Sequence, residues 1–389
     1  ASWPRLLLDA LCAPLRLGLE TGTPAADRER LSRVSDWPAV AGLAVHHRVG
    51  PLLLRGIRAG GVRVADAAVE QDLEQRRRNV VLRGMRRLDA MRRAADGLDA
   101  RGVPWLILKG LPLGQRLYGD PFTKISIDID LLVPPENFAA AARALRDLGW
   151  RRTMPNFAET PARTRWYDAL EKEHVFVDPR GDRIELHRRL LANPFLFDSP
   201  FASLSANAVT VSLGGHPFRT LGDDDQLLYL ACHGALHHWQ RLQWLCDLAA
   251  LLDAAGDGAA ERAAARGRRL RLDAVLASAM LLCREALHAA APRTAAPPDA
   301  GPKVRFMVAL ARLAWRPPAR GLPRVWREAA MRAGRMVIGS RARYALHDCL
   351  GLLIQPHDFA RVDLPDRLFW LYALARPVFW LRRALRRSQ

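Results

Sequence analysis

No run of residues in this chain is apolar for long enough to span a bilayer. The longest candidate, 368–381, is interrupted by Arg376-Pro377. No secretory leader is expected either, because residues 1–17 mix apolar side chains with Trp3-Pro4-Arg5 and an early acid, as in an ordinary amphipathic helix. Cysteine is scarce. Cys12, Cys232, Cys246, Cys283 and Cys349 are odd in number, none is at metal-ligand spacing, and most lie in apolar helical runs. That excludes a disulfide framework and points to buried thiols in a reducing cytoplasm. Acid is short as well: 40 Asp and Glu against 59 Lys and Arg leave a net charge of +19. GC-rich coding produces arginine-rich chains without any functional cause. An excess of this size nevertheless favours anionic partners such as nucleotides, nucleic acid, phosphorylated carriers or a membrane surface. No internal repeat is visible. Half of the residues are hydrophobic, so a sizeable core can form.

Against this background Asp128 and Asp130 stand out, in the run Lys124-Ile-Ser-Ile-Asp-Ile-Asp-Leu-Leu-Val133. The segment has the pattern of a buried strand, and alternation places both acids on one face. Two neighbouring carboxylates repel and raise one another's pKa. Solvation at a sheet edge would relieve that cost, and so would a divalent cation such as Mg²⁺ (or Mn²⁺), which takes carboxylates together with substrate phosphates. Upstream, Val103-Pro-Trp-Leu-Ile-Leu108 predicts a second strand, followed by Lys109-Gly110 and a short helix over 111–118. A strand, a glycine turn and a helix N-terminus form an anion site, with Gly110 admitting a phosphate and Lys109 adding charge. Downstream, 173–177 and 183–187 predict a hairpin turned by Asp178-Pro-Arg-Gly-Asp182. Its second strand points Glu185 and His187 to one side, making Glu185 the candidate third acid. His187 is open between binding a phosphate, stacking on a base, orienting Glu185 and a structural role.

Leu108-Lys-Gly110, Tyr118-Gly-Asp-Pro121, Asp128-Ile-Asp-Leu-Leu-Val133 and Ile184-Glu-Leu-His187 together resemble a bacterial group of stand-alone nucleotidyltransferases of the DNA-polymerase-β-like superfamily. His233-Gly-Ala-Leu-His237 running to Trp244-Leu-Cys-Asp247 is similar to the helix that follows the palm in that group. The resemblance implies an α+β fold: a polymerase-β-like palm with a small mixed sheet, flanked by helical regions. It also implies three metal-binding carboxylates and a helical region closing over an NTP, ATP by default. Two positions depart from the pattern. The usual glycine-serine is Gly110-Leu111, which lacks a hydroxyl, and a basic position that is usually arginine is Lys124, which loses a bidentate fork.

A helix capped by Asp223-Asp-Asp225 is expected to run to about 252. On such a helix His233, His237, Gln240, Trp244 and Asp247 fall within about 40° of one line, a polar and aromatic stripe suited to a nucleotide, with Trp244 able to stack on a base. The His-x-x-x-His spacing also matches metal ligands, but no Glu follows His233, so the zinc-protease reading fails. A structural histidine pair remains open. The predicted organisation is an N-terminal helical region (1–100), the palm (101–222) and a C-terminal helical region (223–389). The first contains a helix from Asp36 to about 55 and an Arg-rich helix over about 67–100 whose charges have the pattern of a solvated face. Residues 136–148 predict a helix, 208–220 a strand pair turned by Gly214-Gly215, and 289–302 and 316–323 are breaks. Residues 368–387 combine aromatics with five arginines. They are open between docking on their own domain and lying on a membrane.

The expectation is a metal-dependent nucleotidyltransferase. Asp128, Asp130 and Glu185 hold the metal, and Lys109, Gly110, Lys124, His187, His233, His237, Trp244 and Asp247 line the nucleotide. The acceptor is open among a peptide or natural product, a polysaccharide precursor, tRNA and a protein. A catalytically weak or inactive nucleotide- or anion-binding module on the same fold is the alternative. A basic nucleic-acid-binding helical protein with an incidental Asp pair is a third reading.

Overall fold

The structure is a computed structural model that describes residues 3–20, 24–64, 66–256, 258–288, 301–315, 324–360 and 362–376. Among these, seven strands form one mixed sheet: β1 (Leu106–Ile107), β2 (Ile129–Leu132), β3 (Arg151–Met154), β4 (Glu173–Val177), β5 (Arg183–His187), β6 (Val209–Leu213) and β7 (His216–Thr220). Their order is β3-β4-β5-β2-β1-β7-β6. β2 lies at the centre, antiparallel to β1 and parallel to β5. This is the α+β architecture expected from the sequence. Both predicted hairpins form. Asp178 closes the first by accepting from the backbone N–H of Arg180 and Asp182 at 2.9 and 2.8 Å. Gly214 and Gly215 close the second, both in the left-handed region that a two-residue turn requires.

One face of the sheet packs on the helices Ala67–Asp99 and Phe138–Asp147 through Ala90, Met91, Ala94, Leu98, Phe138 and Leu145. The Arg-rich helix is only partly a solvated face. Arg76 pairs with Asp72 in solvent, whereas Arg86 and Arg93 reach Asp182 and Asp178 in the hairpin turn at 2.9 and 3.1 Å. A larger core joins the N-terminal helices Trp3–Gly18 and Gly50–Gly60 to the C-terminal helices Asp223–Leu236, Leu242–Ala254 and Asp273–Leu287. Arg16 ties them together by donating to the Ala286 carbonyl at 3.0 Å while paired with buried Asp27 at 2.6 Å.

Several boundaries differ from those predicted. β1 and β2 are shorter than the apolar runs that contain them, and Asp128 precedes β2 rather than lying within it. The helix expected from Asp36 to about 55 breaks at Arg48, whose φ is +60°, into Trp37–His47 and Gly50–Gly60. The helix expected over 223–252 breaks after Leu236. His238 and Trp239 take φ of +50° and +51°, and the Trp239 ring seats against Gly234. The Trp315 indole donates to the Trp239 carbonyl at 2.6 Å, which holds the break. Of the described C-terminal aromatics, Phe369 and Tyr372 dock on their own chain, packing with Phe157, Tyr167 and Phe359, whereas Trp370 stays 58% exposed. Residues 377–387, most of the break at 289–302 and all of that at 316–323 lie outside the described residues. Among the described residues no helix is long and apolar enough to cross a membrane.

Candidate active site

The parallel register of β2 and β5 places Asp130 directly beside Glu185, and the antiparallel register of β4 and β5 places Glu173 opposite His187. Sheet pairing therefore gathers the acids. Ligand atoms of Asp130, Glu185 and His187 lie within 4.8 Å of one another, an arrangement that could hold a metal ion. Among the described residues neither buried Asp130 oxygen makes a hydrogen bond of normal geometry, although Oδ1 is ion-paired with Lys109, so Oδ2 is the oxygen left for a further cation. Asp128 is not part of that tight group. It lies two residues before Asp130, just ahead of β2, partly buried and lining an adjoining cavity of about 310 Å³.

Two lysines offset the acids. Lys109 Nζ lies 3.1 Å from Asp130 Oδ1, while Lys172 pairs with Glu173 and reaches Glu185 at 3.9 Å. His187 Nε2 lies 3.4 Å from Asp130 Oδ1 and 3.3 Å from Glu173 Oε2. Burial alone would push the Lys109 ammonium down, but Asp130 and the acids around it outweigh burial and hold it above the ordinary lysine value. Burial likewise works against the Asp130 carboxylate, and the Lys109 charge and the His187 hydrogen bond overcome it, leaving it well below the usual carboxylate range. Asp128 goes the other way: burial, then the charge of Asp130, push it up to about 6. The mutual rise expected from repulsion is thus seen at Asp128 alone, because at Asp130 the Lys109 charge and His187 outweigh it.

The cavity is lined by Lys109, Gly110, Lys124, Asp128, Glu185, His233, His237 and Trp244, so most of the residues singled out from the sequence meet there. Gly110 is needed for two reasons. Its φ is +83°, and a side chain would begin 3.1 Å from the Ser126 hydroxyl. That hydroxyl, which now donates to the Asp128 carbonyl at 2.9 Å, stands beside the glycine turn where Leu111 offers none. His233, His237 and Trp244 remain together despite the helix break, with ring centroids 4.7 to 5.2 Å apart. Burial, reinforced by Lys109 for His233 and by Arg335 for His237, holds both imidazoles below the usual histidine value, His237 at about 3. At neutral pH they are uncharged aromatic surfaces.

Two expected nucleotide contacts are placed differently. Asp247 is fully buried and does not line the cavity; it accepts from the Tyr118 hydroxyl at 2.8 Å and pairs with Lys124. The Lys124 side chain reaches the cavity wall, but its ammonium is committed to Asp247 rather than free for phosphates. Asp247 lies three residues beyond Trp244, about 60° around the helix Leu242–Ala254, on the side that meets Tyr118 and Lys124. Lys172, Glu173, Arg48, Ser126 and Gln243 also line the cavity and were not singled out from the sequence. For Glu173 a signal existed, since pairing the predicted hairpin outward from its turn sets it opposite His187. Arg48, at a helix break, and Gln243, on the helix Leu242–Ala254, are far from the strands in the chain and left none.

A family model described as uncharacterised nucleotidyltransferase matches residues 33–288, more than half of the chain. Among solved structures, the solution structure of the antibiotic-resistance factor ANT(2'')-Ia is similar at 16% identity, covering 49% of this chain and 96% of that one, with a TM-score of 0.36. No curated protein matches.

Proposed function

The chain belongs to the uncharacterised nucleotidyltransferase family, and on that premise we propose that it transfers an NMP from an NTP to an acceptor hydroxyl in a metal-dependent reaction that releases pyrophosphate. The observation that carries this reading is the register pair Asp130–Glu185, whose ligand atoms gather with His187 within 4.8 Å, next to a cavity lined by Asp128, Lys109 and Gly110. Asp130 and Glu185, with Asp128 at the rim, would hold Mg²⁺ or Mn²⁺, and His187 would orient Asp130 and Glu185. The ion when bound supplies charge to the triphosphate oxygens and acidifies the acceptor hydroxyl. Gly110 leaves the start of the helix Leu111–Tyr118 open to the β- and γ-phosphates. Lys109 and Lys172 moderate the negative charge of the acids, so that a polyanion can approach. The neutral wall of His233, His237 and Trp244 offers a stacking surface for a base. The acceptor oxygen would attack the α-phosphorus in line, its proton passing to solvent, as the bond from the α-phosphorus to the bridging oxygen breaks and pyrophosphate departs. ATP is the first nucleotide to try. Four buried thiols, Cys12, Cys232, Cys246 and Cys283, favour a reducing, cytoplasmic setting.

Label from α-³²P-NTPs, supplied with Mg²⁺ or Mn²⁺ and cell extract, is expected to enter an acceptor with the wild-type protein. It should not do so with Asp130→Ala or Glu185→Ala. Absence of metal-dependent nucleotide binding by calorimetry in the wild type would refute the reading. A second reading, a nucleotide-binding module without turnover, is favoured by one observation: the Lys109 ammonium already neutralises Asp130 at 3.1 Å. Tight NTP binding that is indifferent to metal and yields no transferred label would select it.

A further inference from the structure

A second cavity, of about 340 Å³, is lined by residues next in the chain to those of the first. Glu171 lines the second, and the residues that follow it, Lys172 and Glu173, line the first, so the segment 171–173 runs between them. Arg335 lines the second, and its charge bears on His237 in the first. The floor of the second cavity is polar and fixed. Asn193 is 1% exposed and donates through Nδ2 to the Tyr344 carbonyl at 3.0 Å and to Asp348 Oδ1 at 2.8 Å. His347 Nε2 is 3.0 Å from the Ala169 carbonyl, while its Nδ1 is buried without a hydrogen bond.

The charges around this floor are largely unspent. Among the described residues neither the Glu171 carboxylate nor the Arg332 guanidinium has an ion pair or a side-chain hydrogen bond. Arg335 approaches Asp348 only at 3.9 Å. An apolar occupant would strip water from these groups without replacing it. Guanidinium forks match the geometry of carboxylate and phosphate. A carboxylate accepts hydrogen bonds from hydroxyls. The volume suits a small molecule rather than a polymer segment.

We propose that this cavity is the acceptor subsite, and that the acceptor is a small hydroxyl compound bearing a carboxylate or phosphate, held by Arg332 and Arg335 with a hydroxyl on Glu171. The assignment rests on the nucleotidyl-transfer reading above. It adds the chemical class of the acceptor, and it sets tRNA and protein acceptors aside.

The test is calorimetric titration of gluconate and of glucose 6-phosphate into the full chain, with glucose as the uncharged control, with and without saturating Mg·ATP. Both anionic probes are expected to bind whether or not Mg·ATP is present, and glucose at least about tenfold more weakly, the loss that follows removal of a charge-assisted hydrogen bond. The double variant Arg332→Ala/Arg335→Ala should lose about tenfold or more for the anions, while its affinity for Mg·ATP and its melting temperature stay unchanged. Glu171→Gln should weaken both probes and spare Mg·ATP. The proposal is overturned if the anionic probes do not bind, bind the double variant as well as the wild type, or are displaced by Mg·ATP, which would place them in the nucleotide cavity. Failure of Mg·ATP to bind the wild type while the probes still bind would instead remove the transfer reading and the acceptor role with it.

Discussion

Asp130 is fully buried between Lys109 and His187, whereas Asp128 is pushed up by burial and then by the charge of Asp130, so two acids one residue apart respond oppositely to neutralisation. In metal-free protein Asp130→Asn strands the Lys109 ammonium, and breaking a buried pair from one side costs about 3–5 kcal/mol. Asp128→Asn removes a repulsion, so its effect on metal-free stability is expected to be neutral or favourable. Urea denaturation of both variants in chelator checks the contrast, and equal destabilisation would contradict it. The same shift sets a pH dependence. A carboxyl raised to about 6 in the folded state binds more protons than in the unfolded chain between roughly pH 4 and 6, so its contribution to stability falls as pH rises across that window. Metal must displace that proton. Affinity for Mn²⁺ is therefore expected to rise between pH 5 and 7 in the wild type, and to be flatter in Asp128→Asn. Calorimetric titrations at stepped pH would show this.

Among the elements, the helix break at 237–241 does most to shape the cavity. It depends on Gly234, where a Cβ would stand 2.4 Å from carbons of the buried Trp239 ring. Gly234→Ala gains up to about 1 kcal/mol of helix propensity and loses about 1–3 kcal/mol to overpacking. The net expectation is a lower urea midpoint with a changed near-UV signal from the displaced tryptophan. An unchanged near-UV spectrum would mean that the ring is not held as described. This break was hidden in the sequence. Asp223 to Leu252 keeps a helical pattern throughout, and neither His238 nor Trp239 is a residue that announces positive φ. The strands were legible for the opposite reason: Asp178–Asp182 and Gly214-Gly215 are local turn chemistry, and the apolar alternation of Ile129–Leu132 needs no distant partner. Strand periodicity is what put Asp130 and Glu185 on one face, and β2 and β5 set them side by side, whereas Asp128 stands just outside the strand. Arg48, Lys172 and Gln243 reach the cavity only through tertiary packing, which period and composition do not encode.

On the scale of the whole molecule, the sheet and the helices beyond it are joined by a few polar ties inside the apolar core. Gln243 donates to the Ile125 carbonyl at 2.9 Å. Asp247 accepts from Tyr118 and pairs with Lys124, and the pair is almost wholly buried, with side-chain exposures of 0% and 6%. Lys124 stands at the start of the loop that carries Asp128, so this tie fixes the rim of the cavity to the helix Leu242–Ala254. Charge pairs of this kind contribute little net stability compared with an apolar substitute, yet are costly to break from one side. Lys124→Met leaves a buried carboxylate and Asp247→Asn a buried ammonium, so each single change is expected to cost about 3–5 kcal/mol. In the double variant the amide carbonyl introduced at position 247 can still accept from Tyr118 and no charge is stranded, so the loss should be well below the sum, with a coupling of up to about 3 kcal/mol. If urea denaturation gave additive losses, the pair would not be the tie between the two regions. If the double variant kept its stability but bound Mg·ATP as well as the wild type, the tie would serve folding alone. Weaker nucleotide binding at preserved stability is the expected outcome, because a rim freed from the helix no longer holds Asp128 and Ser126 in place beside Gly110.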